Sequence, residues 1–215
     1  MIDTLKVSNV TFSYDKENVI EDLDFGLKGG DVLCIKGKNG SGKTTLFKLL
    51  AGILKAGQMD VTYNGKNISS DELKKRVFFI PSAPYLYDEL SGNENLELLR
   101  NLWRKDKKEY SEKVGNFLNR YEMTDHSNSF VANYSLGMKY KLYFSAALAI
   151  EPDIIMMDEP LNAMDPESQA KAIQDVMDYV KGNEKAVMFS SHISQLINNL
   201  SNRILLLKDG RLIDE

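Results

Sequence analysis

The chain predicts an α/β fold: a mostly parallel sheet with helices on both faces. Three observations carry that expectation. The apolar run Val32-Leu33-Cys34-Ile35 is followed by a glycine-rich turn and then by the helix-like run Leu46-Phe47-Lys48-Leu49-Leu50. From residue 135 onward, helical and strand-like segments alternate, which is how parallel strands are joined. The apolar run Ile154-Ile155-Met156-Met157 ends in two acids, as strands do where they reach a ligand. At 215 residues, with 43% hydrophobic and 27% charged residues, the chain suits one globular domain with room for a subdomain.

Each element follows from its local pattern. Residues 5–12 alternate apolar and polar side chains, as a half-buried strand does. Residues 19–27 repeat that texture, and Gly29-Gly30-Asp31 turns the chain into the buried strand at 32–35. Residues 59–65 read as a strand entering a tight turn. The short apolar strand 77–80 is ended by Pro81. Residues 93–103 and 109–121 place apolar residues at three- and four-residue spacing, so both are helices. Between them, Arg104-Lys105-Asp106-Lys107-Lys108 reads as a solvated loop. The order after that is helix 136–150, strand 154–157, helix 167–180, strand 186–190, helix 193–200 and strand 203–207.

The turn after the first buried strand is Gly37-Lys38-Asn39-Gly40-Ser41-Gly42-Lys43-Thr44-Thr45, a gapless match to G-x-x-x-x-G-K-[ST]. Glycines let the backbone wrap a phosphate with its N–H groups turned inward. The helix start adds partial positive charge. Lys43 can reach the β- and γ-phosphates, and the Thr44 hydroxyl can ligate magnesium. At the carboxyl end of strand 154–157, Asp158 is placed for a magnesium ion, and Glu159 to orient or deprotonate a water. His192, just past strand 186–190, stands where a neutral imidazole could bond the γ-phosphate or that water. His126, in a polar stretch, reads as incidental.

Composition excludes several classes. A net charge of −4 with scattered basic residues argues against a nucleic-acid partner. The single cysteine, Cys34, permits no internal disulfide and suits a reducing cytosol. The first residues lack a secretory pattern, and no apolar run approaches the roughly 18 residues of a spanning helix. A role at a membrane would therefore depend on another chain.

With these motifs in order, the chain resembles the ATP-binding subunit of an ATP-binding-cassette (ABC) transporter, from about residue 5 to 212. The resemblance implies a P-loop NTPase core of RecA type, with a mostly parallel sheet and a small antiparallel β part. That core would run over residues 1–84 and 136–215, with a helical subdomain inserted at 85–135. It implies that Tyr14 stacks on adenine and that residues 37–45 hold the phosphates of ATP. It implies that Asp158 binds Mg2+, that Glu159 is the base and that His192 is the switch histidine. Tyr134-Ser135-Leu136-Gly137-Met138 stands at the signature position. There Ser135 and Gly137 would touch the ATP of an opposing cassette, a homodimer or heterodimer partner. Asn162-Ala163-Met164-Asp165 matches the loop that meets that partner. Ser135 is a good N-cap for helix 136–150, whose free N–H groups and dipole suit an anion, while Lys139 and Lys141 oppose the dipole until a phosphate offsets them. The implied activity is ATP hydrolysis driving a separate integral membrane permease, with the subunit on the cytoplasmic face of the membrane. Two other classes within the resemblance are a soluble cassette acting on nucleic acid or ribosomes and a weakly hydrolysing regulatory cassette. The first usually carries fused cassettes or basic extensions, and the intact Lys43, Asp158, Glu159 and His192 argue against the second.

The pattern departs from the family at three places. The signature is Tyr-Ser-Leu-Gly-Met instead of Leu-Ser-Gly-Gly-Gln, a form similar to exporter-type cassettes. Ser82 stands where the family places a magnesium-touching Gln, and its shorter reach would need a bridging water. The sequence stops at Glu215, where many relatives continue with further helices. Tyr85, Leu86 and Tyr87, near the expected permease-facing surface, suit either a docking patch or a buried edge.

Overall fold

A computed structural model of the chain describes residues 5–15, 17–159, 161–182 and 184–214. They form two compact units. The first is Met1–Phe79, Asp153–Glu159 and Val176–Glu215. The second is Ile80–Pro152 and Pro160–Asp175.

The first unit contains a small antiparallel sheet of β1 (Leu5–Tyr14), β2 (Glu17–Leu27), β4 (Gln58–Tyr63) and β5 (Lys66–Asn67), in the order β2-β1-β4-β5. Leu5 faces Leu27 and Val7 faces Phe25 across β1 and β2, all four buried, while Lys6 between them is exposed. This is the period-two alternation of a sheet with one face in the core. The register shifts between Val7 and Ser13, so the β1–β2 ladder is irregular there, and Tyr14 at the end of β1 still pairs with Glu17.

The larger sheet is made of β3 (Val32–Lys36), β6 (Val77–Ile80), β7 (Ile154–Asp158), β8 (Ala186–Ser190), β9 (Arg203–Lys208) and β10 (Arg211–Asp214). Its order is β10-β9-β3-β8-β7-β6. Strands β9, β3, β8 and β7 are parallel, and β10 folds back antiparallel on β9. The central strands β3, β7 and β8 are continuous buried apolar runs, because parallel strands are covered on both faces. Helix α1 (Lys43–Leu50) buries Leu46, Phe47, Leu49 and Leu50 in a core with Leu33, Ile35, Ile154, Met156 and Met188. The rings of Phe47 and Phe79 meet edge to face at 6.2 Å. Cys34 is buried in β3.

Three features of this unit escape the sequence pattern. Helix α2 (Ser70–Lys74) is only five residues long, held by a capping box in which Ser69 and Glu72 bond each other's backbone. Strand β5 has two residues, and β10 is four residues long and mostly exposed, so neither offers a periodic signal. At the entry to β6, the Ile154 N–H donates to the Arg76 carbonyl at 3.0 Å. The Arg76 guanidinium bonds Asp153 at 2.8 Å and lies 4.2 Å over the Tyr63 ring. Burial, with the Asp153 carboxylate beside it, pushes the Tyr63 phenol up to about 12.

The second unit is helical. It holds α3 (Gly92–Leu102), α4 (Lys107–Arg120), α5 (Leu136–Ile150) and the first part of α6 (Pro166–Val180). Ser91 caps α3 in a capping box with Glu94, Asp106 caps α4 and Ser135 caps α5. The Asp106 cap starts α4 two residues before the expected helix, so Lys107 and Lys108 are helical instead of loop. Helix α5 packs against α3 and α4 and is buried almost all round, so it lies within the helical unit. Tyr121 packs edge to face on Phe144 at 5.9 Å, and its hydroxyl donates to Asp175 at 2.6 Å.

Candidate nucleotide site

In the first unit, the carboxyl ends of β3, β7 and β8 lie level, with Asp158 paired to Ser190 and Ser190 to Ile35. Thr44, Asp158, Glu159 and His192 are linked where those ends meet the start of α1. Residues 37–42 link β3 to α1. Gly42 has φ 100°, and a Cβ there would stand 2.9 Å from a Val19 methyl, so both backbone and space require glycine. Helix α1 has no side-chain cap and no acid in its first turn, unlike α2, α3, α4 and α5 with their caps. Its leading N–H groups and dipole are therefore left to an anion.

Lys43 is 8% exposed, and its ammonium donates to the carbonyls of Gly37 at 2.8 Å and Lys38 at 3.1 Å. It arches over the loop from α1's first turn. The Thr44 hydroxyl donates to Asp158 Oδ2 at 2.6 Å. Asp158 Oδ1 accepts from the Ser190 hydroxyl at 2.7 Å, and Ser190 Oγ accepts the Glu159 N–H at 2.9 Å. His192 Nδ1 lies 3.0 Å from the Glu159 carboxylate. Glu159 has φ 53°, a left-handed conformation that a non-glycine residue holds at a cost and that collects at functional sites. His192 is largely exposed, whereas Asp158 is buried.

Tyr14 packs edge to face on Phe12 at 4.8 Å and remains 46% exposed, which leaves ring surface for a stacking partner. Its hydroxyl is 3.5 Å from Thr45 Oγ1, and Thr45 is buried. Asn39, Gly40 and Ser41 line one wall of a cleft of about 730 Å³, faced by Val19, Leu207 and Gly210. Asp158 and Glu159 do not line it. The cleft thus borders the loop but lies apart from the acids.

Hard oxygen donors meet at Thr44 and Asp158: one hydroxyl, one carboxylate. Among the described residues, no group of three or more His, Cys, Asp or Glu could hold a metal alone. That donor set fits magnesium, which keeps waters and takes phosphate oxygens alongside one or two protein ligands.

The remaining expected residues belong to the second unit. Ser82 is exposed, two residues past the end of β6. The Ser135 hydroxyl accepts the Met138 N–H at 3.2 Å and so caps its own helix. A Cβ on Gly137 would stand 2.6 Å from the Ala163 carbonyl oxygen, so the signature turn and loop 162–165 touch through backbone. Lys139 pairs with Asp88 at 2.6 Å and Lys141 with Asp165 at 2.7 Å. The opposition between these lysines and the α5 dipole is therefore offset by carboxylates of the same unit. The Lys141 bond, aided by the Ser168 N–H and hydroxyl, holds the Asp165 carboxyl well below the usual carboxylate range. Tyr85 and Tyr87 are exposed, and Leu86 is half-buried. His126 offers its backbone carbonyl to the Tyr134 hydroxyl at 2.6 Å.

Sequence reasoning missed Ser190. The available signal was a polar residue closing an apolar strand, but its partners sit 31 and 32 residues away and depend on sheet register.

The family model described as "ABC transporter" matches residues 20–162. An uncharacterized ABC transporter ATP-binding protein, YhcH of Bacillus subtilis, is 32% identical over 100% of this chain and 70% of its own length. The SkfA peptide export ATP-binding protein SkfE of Bacillus subtilis is 25% identical over 98% of this chain and 88% of its own. A solved ATP-binding subunit of an ABC transporter superposes with a TM-score of 0.89 at 26% identity, covering 97% of this chain and 88% of that one. A dimeric ATP-binding cassette in a post-hydrolysis state, bound to ADP and Pi, superposes with a TM-score of 0.83 at 25% identity, covering 97% and 96%. No helix among the described residues is long and apolar enough to cross a membrane. These matches settle the family: the chain belongs to the ABC transporter family, as an ATP-binding, ATP-hydrolysing subunit.

Proposed function

We propose that this subunit hydrolyses Mg2+-bound ATP to drive a separate integral membrane permease in export, working as one of two cassettes facing head to tail. The observation that carries the hydrolytic part is the linked set Thr44–Asp158–Ser190–Glu159–His192 at the ends of β7 and β8. Export is supported by the signature form and by the peptide-export relative. The need for a permease is supported by the lack of any membrane-spanning helix among the described residues.

The chemistry is in-line attack of water on the γ-phosphorus, forming one P–O bond as the β,γ-bridging P–O bond breaks. ADP leaves, and the water proton passes to Glu159. Lys43 exchanges its loop carbonyls for β- and γ-phosphate oxygens. The N–H groups at the start of α1 hold the phosphates. His192, bonded to Glu159, orients the attacked phosphate and the water. Tyr14 stacks the base. Thr44 and Asp158 would hold magnesium, which when bound neutralises charge on the β- and γ-phosphates. Ser82 would reach that ion only through water. Ser135 and Gly137 of the opposite cassette would close over the γ-phosphate; a homodimer and a heterodimer both meet this geometry.

The test is Glu159→Gln. The expected result is a kcat lowered about 10²- to 10⁴-fold, as for loss of a general base. ATP should then hold the variant as a dimer on size exclusion with light scattering. Wild-type turnover by a variant that stays monomeric with ATP overturns the proposal.

A further inference from the structure

Building on that nucleotide site, we propose that Ser190 is a positioning residue for hydrolysis, one hydroxyl that sets the orientation of both Asp158 and Glu159. Ser190 closes β8 and is fully buried, in register with Asp158 on one side and Ile35 on the other. A hydroxyl in so dry a place is costly unless bonded. Here it is used twice. It donates to Asp158 Oδ1 at 2.7 Å and accepts the Glu159 N–H at 2.9 Å.

Both bonds act on groups whose direction matters. Asp158 Oδ2 already accepts from Thr44 at 2.6 Å, so the Ser190 bond to Oδ1 fixes the carboxylate plane at a second point. Without it, the plane can turn about χ2, a torsion with broad preferences. Glu159 holds φ 53°, and the Ser190 oxygen holds the N–H of that residue. From this backbone the Glu159 side chain reaches His192 Nδ1 at 3.0 Å. The acid placed for the metal and the acid placed for the water thus share one fixed point. Thr44 on α1 and Ser190 on β8 grip Asp158 from two sides, which ties the helix that binds phosphate to the strand that leads to His192. Ser190 is fully buried and its hydroxyl bonds Asp158 and Glu159, so its effect is exerted through those two neighbours.

The experiment compares purified full-length wild type with Ser190→Ala, Ser190→Thr and Asp158→Asn. Four quantities are read: kcat and KM for ATP, the Mg2+ concentration for half-maximal rate, affinity for a fluorescent ADP analogue in EDTA and in Mg2+, and Tm. Ser190→Ala should lower kcat and raise the Mg2+ requirement, each by roughly tenfold to a hundredfold, the usual cost of losing an outer-shell partner. KM for ATP and binding of the analogue in EDTA should stay near wild type, because loop 37–45 is untouched. The gain in analogue affinity on adding Mg2+ should shrink, a readout independent of turnover. Ser190→Thr keeps the hydroxyl and should recover most of both effects. The proposal is overturned if Ser190→Ala keeps the wild-type rate and Mg2+ requirement. It is equally overturned if binding in EDTA and Tm fall in step with kcat, or if Ser190→Thr, binding nucleotide normally, is no better than Ala. Asp158→Asn separates the two levels: an unchanged Mg2+ requirement in that variant sinks the reading of the site itself.

Discussion

Gly137 meets a carbonyl oxygen where any other residue would need room for a methyl group. At 2.6 Å from Ala163 O, an added Cβ lies far inside van der Waals contact, and backbone must move. Gly137→Ala should therefore lose about 1–3 kcal/mol of stability through overpacking. It should also slow ATP turnover by displacing loop 162–165. Chemical denaturation and a steady-state assay check both, and wild-type values in each would refute the contact. Residue identity in the sequence pointed to Lys43, Thr44, Asp158, Glu159 and His192 because each motif is local. It could not point to the Ser190 bridge or to the Lys43 bonds with Gly37 and Lys38. Those depend on which strands neighbour which, and on a side chain turning back over its own loop.

Elements were legible wherever period and cap agreed. Helix α5 and strand β8 follow the sequence pattern residue for residue, one an apolar run behind a serine cap, the other a short, fully buried apolar run closed by a serine. Helix α4 shows the limit: a charged stretch reads as loop until the Asp106 cap, accepting the Glu109 N–H at 2.9 Å, is set beside it. The link between α5 and α6 is electrostatic and has a pH signature. Lys141 and the Ser168 donors depress Asp165 below its unfolded value. That contribution is complete above the unfolded carboxylate range, near pH 4, and is lost as pH falls through the lower folded value. Asp165→Asn should thus reduce stability at pH 7 and narrow the gap to wild type on acidification below about pH 4. Parallel urea titrations at the two pH values test it. An equal gap at both would show that Asp165 is not depressed in the folded chain. Because Asp165 is half exposed, solvent screening keeps the effect small.

At the scale of the whole chain, sequence order was enough to anticipate an α/β cassette with a helical part between two stretches of core, since strands and helices alternate only outside residues 80–152. Helix α5 follows the signature and precedes β7, so order alone assigns it to the sheet, whereas its burial among α3 and α4 assigns it to the helices. The net charge of −4 carries a further expectation: no salt-dependent binding of single-stranded DNA or RNA. Fluorescence anisotropy with labelled oligonucleotides at low salt checks this, and a steep salt slope would contradict it. One consequence follows from the Gly137–Ala163 contact and the Lys141–Asp165 pair taken together. The signature turn and loop 162–165, the two parts we propose to face the opposing cassette, are joined by a close backbone approach and an ion pair. Neither can respond to the neighbour without carrying the other along, so news of cleavage in one copy would arrive at both handles of the next in a single motion.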